Sequence, residues 1–201
     1  MAKKKQVLYP VVFMIVITAI FTTALALINE LTIDRIKALE DTKQKQTILY
    51  VFGIEAPDNQ ADVNKAFNQY IETEVKDNET IYKATQDGTE LGYAFEITGS
   101  GLWGSILGYA AVNQDFTQVL GIDFVTHSET PGLGGRISEL WFKEQFRAVQ
   151  IDPEKKDIVT YRPAPKGNVD AITGATLTSD AVRNIINEDI MSFINRMEGG
   201  L

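Results

Sequence analysis

Ten consecutive residues near the C-terminus carry the densest chemistry in the chain: Asp170-Ala171-Ile172-Thr173-Gly174-Ala175-Thr176-Leu177-Thr178-Ser179. Four hydroxyls and a glycine stand just ahead of a helical apolar pattern. The first N–H groups of a helix have no partner within it, and the helix dipole favours an anion there. A phosphate suits such a place. Gly174 allows a tight turn and close approach of the backbone to a ligand. Thr173 and Thr176 can add hydroxyl hydrogen bonds. A plainer reading stands beside this one: Ser/Thr-rich turns often precede helices because those residues cap them.

The helix that would follow is marked by Val182, Ile185, Ile186, Ile190, Phe193 and Ile194 at three- and four-residue spacing. Thr178-Ser179-Asp180 offers capping residues at its start. Upstream, Thr80–Thr85, Leu91–Thr98, Ser105–Val112 and Val119–Thr126 are rich in β-branched and aromatic residues, with turn signals such as Asp87-Gly88 between. Residues 62–75 read as a short amphipathic helix. Ser138–Val149 reads as a helix with Leu140, Phe142 and Phe146 facing inward. Residues 151–169, with Pro153, Pro163, Pro165 and Gly167, read as irregular. The expected class is α+β, an antiparallel sheet with packed helices, in a single domain.

Val7–Ile28 contains no charge over 22 residues, against roughly 20 needed to span a bilayer core. Lys3-Lys4-Lys5 precedes it and Asn29-Glu30 follows, which puts the N-terminus in the cytoplasm and the body outside. Ala24-Leu25-Ala26 resembles a signal-peptide cleavage site. Against that, the apolar stretch is long and the pattern runs on through Leu31, Ile36 and Leu39, so a continuous anchor helix is the simpler account. The expected layout is a cytoplasmic tip and anchor over 1–29, a juxtamembrane helix and loop over 30–60, and an extracytoplasmic domain over 61–201. Phe52-Gly53-Ile54 stops the juxtamembrane helix.

The net charge is −8, and residues 1–28 carry +3. The rest therefore holds −11, the total less that +3. An acidic body excludes nucleic acid as the expected partner. The absence of cysteine excludes thiolate metal sites, iron–sulfur ligation and a Cys nucleophile, and a single histidine, His127, excludes a His-rich metal centre. No metal site and no acid–base catalytic pair is expected. Arg35, Lys37, Lys43 and Lys45 read as a solvated helix face, His127 as structural and Lys166 as a surface lysine. The Asn78-Glu79-Thr80 sequon is given no weight.

Asp-x-x-Thr-Gly-Ala-Thr-x-Thr, read from Asp170 to Thr178, resembles the flavinylation motif of the FMN-binding domain family. Glu129-Thr130-Pro131-Gly132-Leu133-Gly134 resembles a second family signature, and Gly101-Leu102-Trp103-Gly104 a third, in the family's order. With the anchor, the resemblance covers essentially the whole chain. It implies one FMN, moved from FAD by a flavin transferase onto Thr178 as a phosphoester. Thr173, Gly174, Ala175, Thr176 and Leu177 would frame the phosphate. Trp103 would stand beside the flavin ring, Leu133 would pack on it, and Glu129 and Thr130 would hydrogen-bond near it. The expected role is electron relay in a membrane complex. The chain resembles the G subunits of ion-translocating ferredoxin:NAD oxidoreductases (Rnf complexes), a choice its modest length favours. The Leu102-Trp103-Gly104 and Gly134-Gly135 pieces look closer to the C subunits of sodium-pumping NADH:quinone reductases (Nqr). Expected partners are the other membrane subunits, the transferase and the lipid bilayer. An anchored binding module without redox activity is the reading from another class.

Overall fold

The computed structural model describes residues 2–76, 79–152, 155 and 157–199. Asn78 and Pro153 lie outside them. The chain divides into two units, residues 1–41 and 42–201.

Helix α1 runs Ala2–Val51. It holds a segment long and apolar enough to cross a membrane, whose side chains are unburied by protein. The helix stops where expected. Gly53 adopts φ 74°, its N–H bonds Tyr50 O at 2.9 Å, and the Ile54 N–H bonds Leu49 O at 3.0 Å. That is the Schellman closure, which needs a residue tolerant of the left-handed region.

The second unit is built on a five-stranded antiparallel meander: β1 Ile71–Lys76, β2 Glu79–Gln86, β3 Thr89–Ser100, β4 Ser105–Asn113 and β5 Val119–Thr126, in that spatial order. Asp87 (φ 50°) and Gly88 (φ 77°) make the two-residue turn of the β2–β3 hairpin. Four strands fall where the β-rich runs predict. The fifth, β1, corrects the expected helix over 62–75: helix α2 covers only Gln60–Tyr70. Ile71–Lys76 pairs with β2 along its whole length. An edge-strand partner outweighs a weak local helix pattern, because β-pairing energy comes from the neighbour strand.

Register sorts the sheet into two faces. Ile81, Phe95, Ala110 and Ile122 pair in a row across β2 to β5 and face one core. Tyr82, Ala94, Ala111 and Gly121 pair in the next row and face the other. The first core is closed by α4, Thr176–Glu198, through Val182, Ile185, Ile186, Ile190, Phe193 and Ile194, all buried as the period predicts. The second is closed by Ile48, Leu49 and Val51 from the end of α1 and Phe67 from α2. The small residues on that face matter: a Cβ on Gly121 would stand 2.6 Å from Val51 O. Both faces are therefore covered, which is why β4 reads as almost continuously apolar.

The expected helix over 138–149 is a 3₁₀ turn, Gly134–Ser138, followed by one short helix, α3, Leu140–Glu144. Phe142 and Phe146 are inward, while Leu140 is exposed, contrary to expectation. The shortness of α3 has a reason. Arg147 bonds Leu120 O (2.7 Å) and Tyr50 O (2.8 Å), and Val149 returns to pair with Val119. The segment is spent on joining β5 to the α1 end. The described residues of the 151–169 stretch are irregular as expected, apart from one bridge between Tyr161 and Val169.

Candidate functional site

The start of α4 differs from the capping expectation. Ala175 is the N-cap, with no side-chain cap, and the helix begins at Thr176. Ile172–Ala175 makes a turn closed by Ala175 N–H to Ile172 O (3.0 Å), with Gly174 at φ 80°. That turn delivers the chain directly into the helix. Thr178 and Ser179 consequently lie in the first turn, and their hydroxyls serve other groups. Ser179 Oγ accepts the Ile172 N–H at 3.0 Å, and Tyr161 donates to Ser179 O at 2.8 Å. The helical ladder opens with Ser179 N–H to Ala175 O (3.0 Å). The N–H groups of Thr176, Leu177 and Thr178 precede it and aim outward at the helix end.

Thr178 is only 1% exposed, unlike Thr173 and Thr176 before it. Its hydroxyl donates to Glu129 Oε2 at 2.6 Å. Glu129, from the segment after β5, is itself 4% exposed. Its other oxygen, Oε1, accepts the N–H groups of Leu102 (2.8 Å) and Trp103 (3.1 Å) from the β3–β4 turn. One carboxylate thus joins three of the sequence motifs. Glu129 is thus a buried carboxylate with three hydrogen-bond donors on its two oxygens.

Two glycines make room for it. A Cβ on Gly101 would meet Glu129 Oε1 at 2.5 Å. A Cβ on Gly134 would meet Thr178 Oγ1 at 2.5 Å and Glu129 Oε2 at 2.8 Å. Gly134→Ala is therefore expected to break the Thr178–Glu129 bond and leave the backbone intact, because the clashing atoms are side-chain ends. The cost should be about 1–3 kcal/mol, that of a hydrogen bond to a charged group, read as a shift in urea midpoint.

Around this buried pair the surface is apolar. Trp103 is 67% exposed, Leu177 64% and Leu133 46%. Leu133 Cδ2 stands 3.5 Å from where a Cβ on Gly174 would be, so the Pro131–Gly135 turn lies against the start of α4. Thr130 organises that turn through its carbonyl, which accepts the N–H groups of Leu133 (3.1 Å) and Gly135 (2.9 Å). Thr130 is exposed, as are Thr173, Gly174 and Thr176, while Ala175 is buried. Lys166 is exposed in the loop before the motif. Asp170 pairs with Arg162 at 2.8 Å, with both side chains about half exposed, a pair worth little by itself.

His127 supports the site from behind. Its Nδ1 accepts the Glu129 N–H at 3.3 Å, and its Nε2 lies 2.9 Å from Ser138 Oγ. Burial holds its pKa below the ordinary imidazole value; the Glu129 carboxylate opposes this and Lys43 adds to it. The folded state therefore prefers the neutral ring. Stability from this group is complete above pH ~6.5 and is lost as pH falls through the lowered folded value, because there the unfolded chain binds the proton first. His127→Gln should flatten that slope, which has a ceiling of ~1.4 kcal/mol per pH unit. Urea melts between about pH 5 and 7.5 check it.

Sequence reasoning missed Gly134, Ser179 and Tyr161 as parts of the site. Gly134 and Ser179 lie within the quoted motifs. Tyr161 carries no local signal, since only the folded loop brings it to Ser179.

Residues 101–190 match the FMN-binding domain family. The stretch contains every motif residue described above, and the resemblance first drawn from those motifs holds. The G subunit of the ion-translocating oxidoreductase complex of Methanosarcina acetivorans is 29% identical over 200 residues, 99% of this chain and 100% of that protein. The G subunit of the Na⁺-translocating ferredoxin:NAD⁺ oxidoreductase complex of Acetobacterium woodii is 29% identical over 96% of this chain and 97% of its own length. The chain spans between 35% and 58% of the Na⁺-translocating NADH-quinone reductase C subunits it matches. The fold is shared with the crystal structure of one such C subunit, from Parabacteroides distasonis (TM-score 0.64, 24% identity, 79% of this chain and 92% of that one).

The matched region has features that an FMN would ask of it. A ring needs exposed apolar and aromatic surface, which Trp103, Leu133 and Leu177 supply. A phosphate needs unpartnered N–H groups at a helix start and a hydroxyl among them, which the first turn of α4 supplies.

Proposed function

We propose that this chain is a membrane-anchored electron-relay subunit carrying one FMN on Thr178 through a phosphoester. It would work within an ion-translocating ferredoxin:NAD oxidoreductase of the Rnf type. The observation that carries the reading is Thr178 itself: a buried hydroxyl in the first turn of α4, hydrogen-bonded to a carboxylate and ringed by exposed apolar side chains. Thr173 and Thr176 would assist with hydroxyls, and Gly174 would let the backbone approach the phosphate. Trp103 would flank the ring. Leu133 would cover it with an apolar face, which disfavours charge on the ring and so biases potential.

FMN supplies one- and two-electron chemistry when bound. The chain's own task is to hold, orient and shield, and no acid–base turnover by the chain is needed. Covalent attachment would keep the cofactor from dilution on the outer side of the membrane. α1 would cross the bilayer once, with Lys3-Lys4-Lys5 inside by the positive-inside bias. The other membrane subunits and a flavin transferase would be its partners.

The choice of complex favours Rnf because two G-type relatives align with nearly the whole of this chain, at 29% identity each. Affinity purification from native membranes tests that choice. Recovery of cysteine-rich, ferredoxin-type subunits is expected; recovery of quinone-reductase subunits would replace it. Flavin fluorescence of the denatured chain, made beside an active flavin transferase, tests the cofactor. A colourless, non-fluorescent band would leave an anchored binding module.

A further inference from the structure

The Thr178–Glu129 pair carries one inference beyond attachment, and it rests on the reading of Thr178 as the acceptor. We propose that Glu129 is the general base of the chain's own flavinylation: the acceptor supplies part of the catalysis by which it is modified.

A threonine hydroxyl is a poor nucleophile until a base takes its proton. Here the proton already points at a carboxylate oxygen, at 2.6 Å, within the range required of a general base. The geometry is restrained from both sides. Glu129 Oε1 is held by the Leu102 and Trp103 N–H groups, leaving Oε2 for Thr178. Thr173 and Thr176 are exposed hydroxyls a few residues away, and neither has such a partner among the hydrogen bonds of the described residues. The pairing distinguishes the acceptor where exposure would have chosen a neighbour.

The step balances as follows. Thr178 Oγ1 attacks the flavin-side phosphorus of FAD, and its proton passes to Glu129 Oε2. A bond forms between Oγ1 and phosphorus, the bridging P–O bond of the dinucleotide breaks, and AMP leaves. No electrons are exchanged. Glu129 becomes neutral as the diester anion appears, so two negative charges do not end side by side. Gly134 lies against the pair, with no side chain to part it. His127, which accepts the Glu129 N–H, is the titratable neighbour, and Lys43 is the nearby cation acting on that ring.

The experiment uses the full chain in detergent, purified without flavin, with saturating flavin transferase and FAD. In-gel flavin fluorescence is followed with time. Glu129→Gln keeps an oxygen for the Leu102 and Trp103 N–H groups and removes the base. It should slow loading about 10²–10⁴-fold near neutral pH, the usual contribution of general-base catalysis. Its residual rate should climb with pH, because hydroxide must then take the proton that Glu129 no longer accepts. Glu129→Asp keeps the charge but withdraws it by a methylene, and should load at an intermediate rate. A Glu129→Gln rate within about threefold of wild type, where general-base loss demands far more, overturns the proposal. If that variant does not fold by circular dichroism, the same criterion applies to Gly134→Ala, whose Cβ parts Thr178 from Glu129. A dark wild-type band beside a control acceptor that loads removes the Thr178 reading itself; a bright wild type with unaffected variants removes only the role of Glu129.

Discussion

Thr178→Ala is expected to abolish covalent flavin entirely, whereas Thr173→Ala and Thr176→Ala should retain it. The three residues share a hydroxyl and lie within one short stretch of the motif. They differ in setting: Thr178 alone of the three is buried, and its hydroxyl donates to Glu129. Thr178→Ser keeps the hydroxyl and should load, more slowly if the lost methyl loosens the pair. The alanine variant should also lose stability. Glu129 would keep two backbone donors and lose its third, in a site closed to water, at a cost of about 1–3 kcal/mol. The fluorescence loss must therefore be read on protein shown to be folded. In-gel fluorescence of the denatured chain, with mass spectrometry of the tryptic peptide holding Thr178, gives the answer. Fluorescence surviving in Thr178→Ala and vanishing in Thr176→Ala would move the acceptor and undo the argument from burial.

The largest stability effect should come from Phe193→Ala, at about 3–5 kcal/mol. Phe193 is buried on α4 and lies flat on Phe95 of β3, with ring centroids 3.9 Å apart and planes 11° from parallel. Phe116 meets it edge-on at 6.2 Å. The ring is held among neighbours that also bury Ile190 and Ile194, so the space it leaves cannot collapse easily. Urea denaturation of the folded domain should show a lower midpoint at unchanged slope. Below the transition, flavin loading should persist, because Thr178 and Glu129 lie at the other end of α4, about four helical turns away. A loss under about 1 kcal/mol would mean the site repacks, as plastic cores do. Loss of loading without loss of stability would mean that α4 transmits strain to its first turn.

Much of this molecule is legible locally. The uncharged run from Val7 to Ile28 demands an apolar surrounding wherever it goes. The three- and four-residue spacing of Val182 to Ile194 can bury one face only as a helix. Asp87-Gly88 forces a hairpin because both residues tolerate positive φ. The motif from Asp170 to Thr178 marks the site because a phosphate-binding helix start needs that glycine and those hydroxyls together. What only the tertiary structure decided depends on partners distant in sequence. Ile71–Lys76 is a strand because β2 lies beside it, not because of its own pattern. Leu140 turns outward because α3 is cut short by the ties of Arg147 to α1 and β5. The contact that most shapes the chemistry, Thr178 to Glu129, joins residues 49 apart. No periodicity reports it. It exists because β5 and the first turn of α4 end at the same corner of the sheet, and because Gly134 has no side chain to fill the space between them.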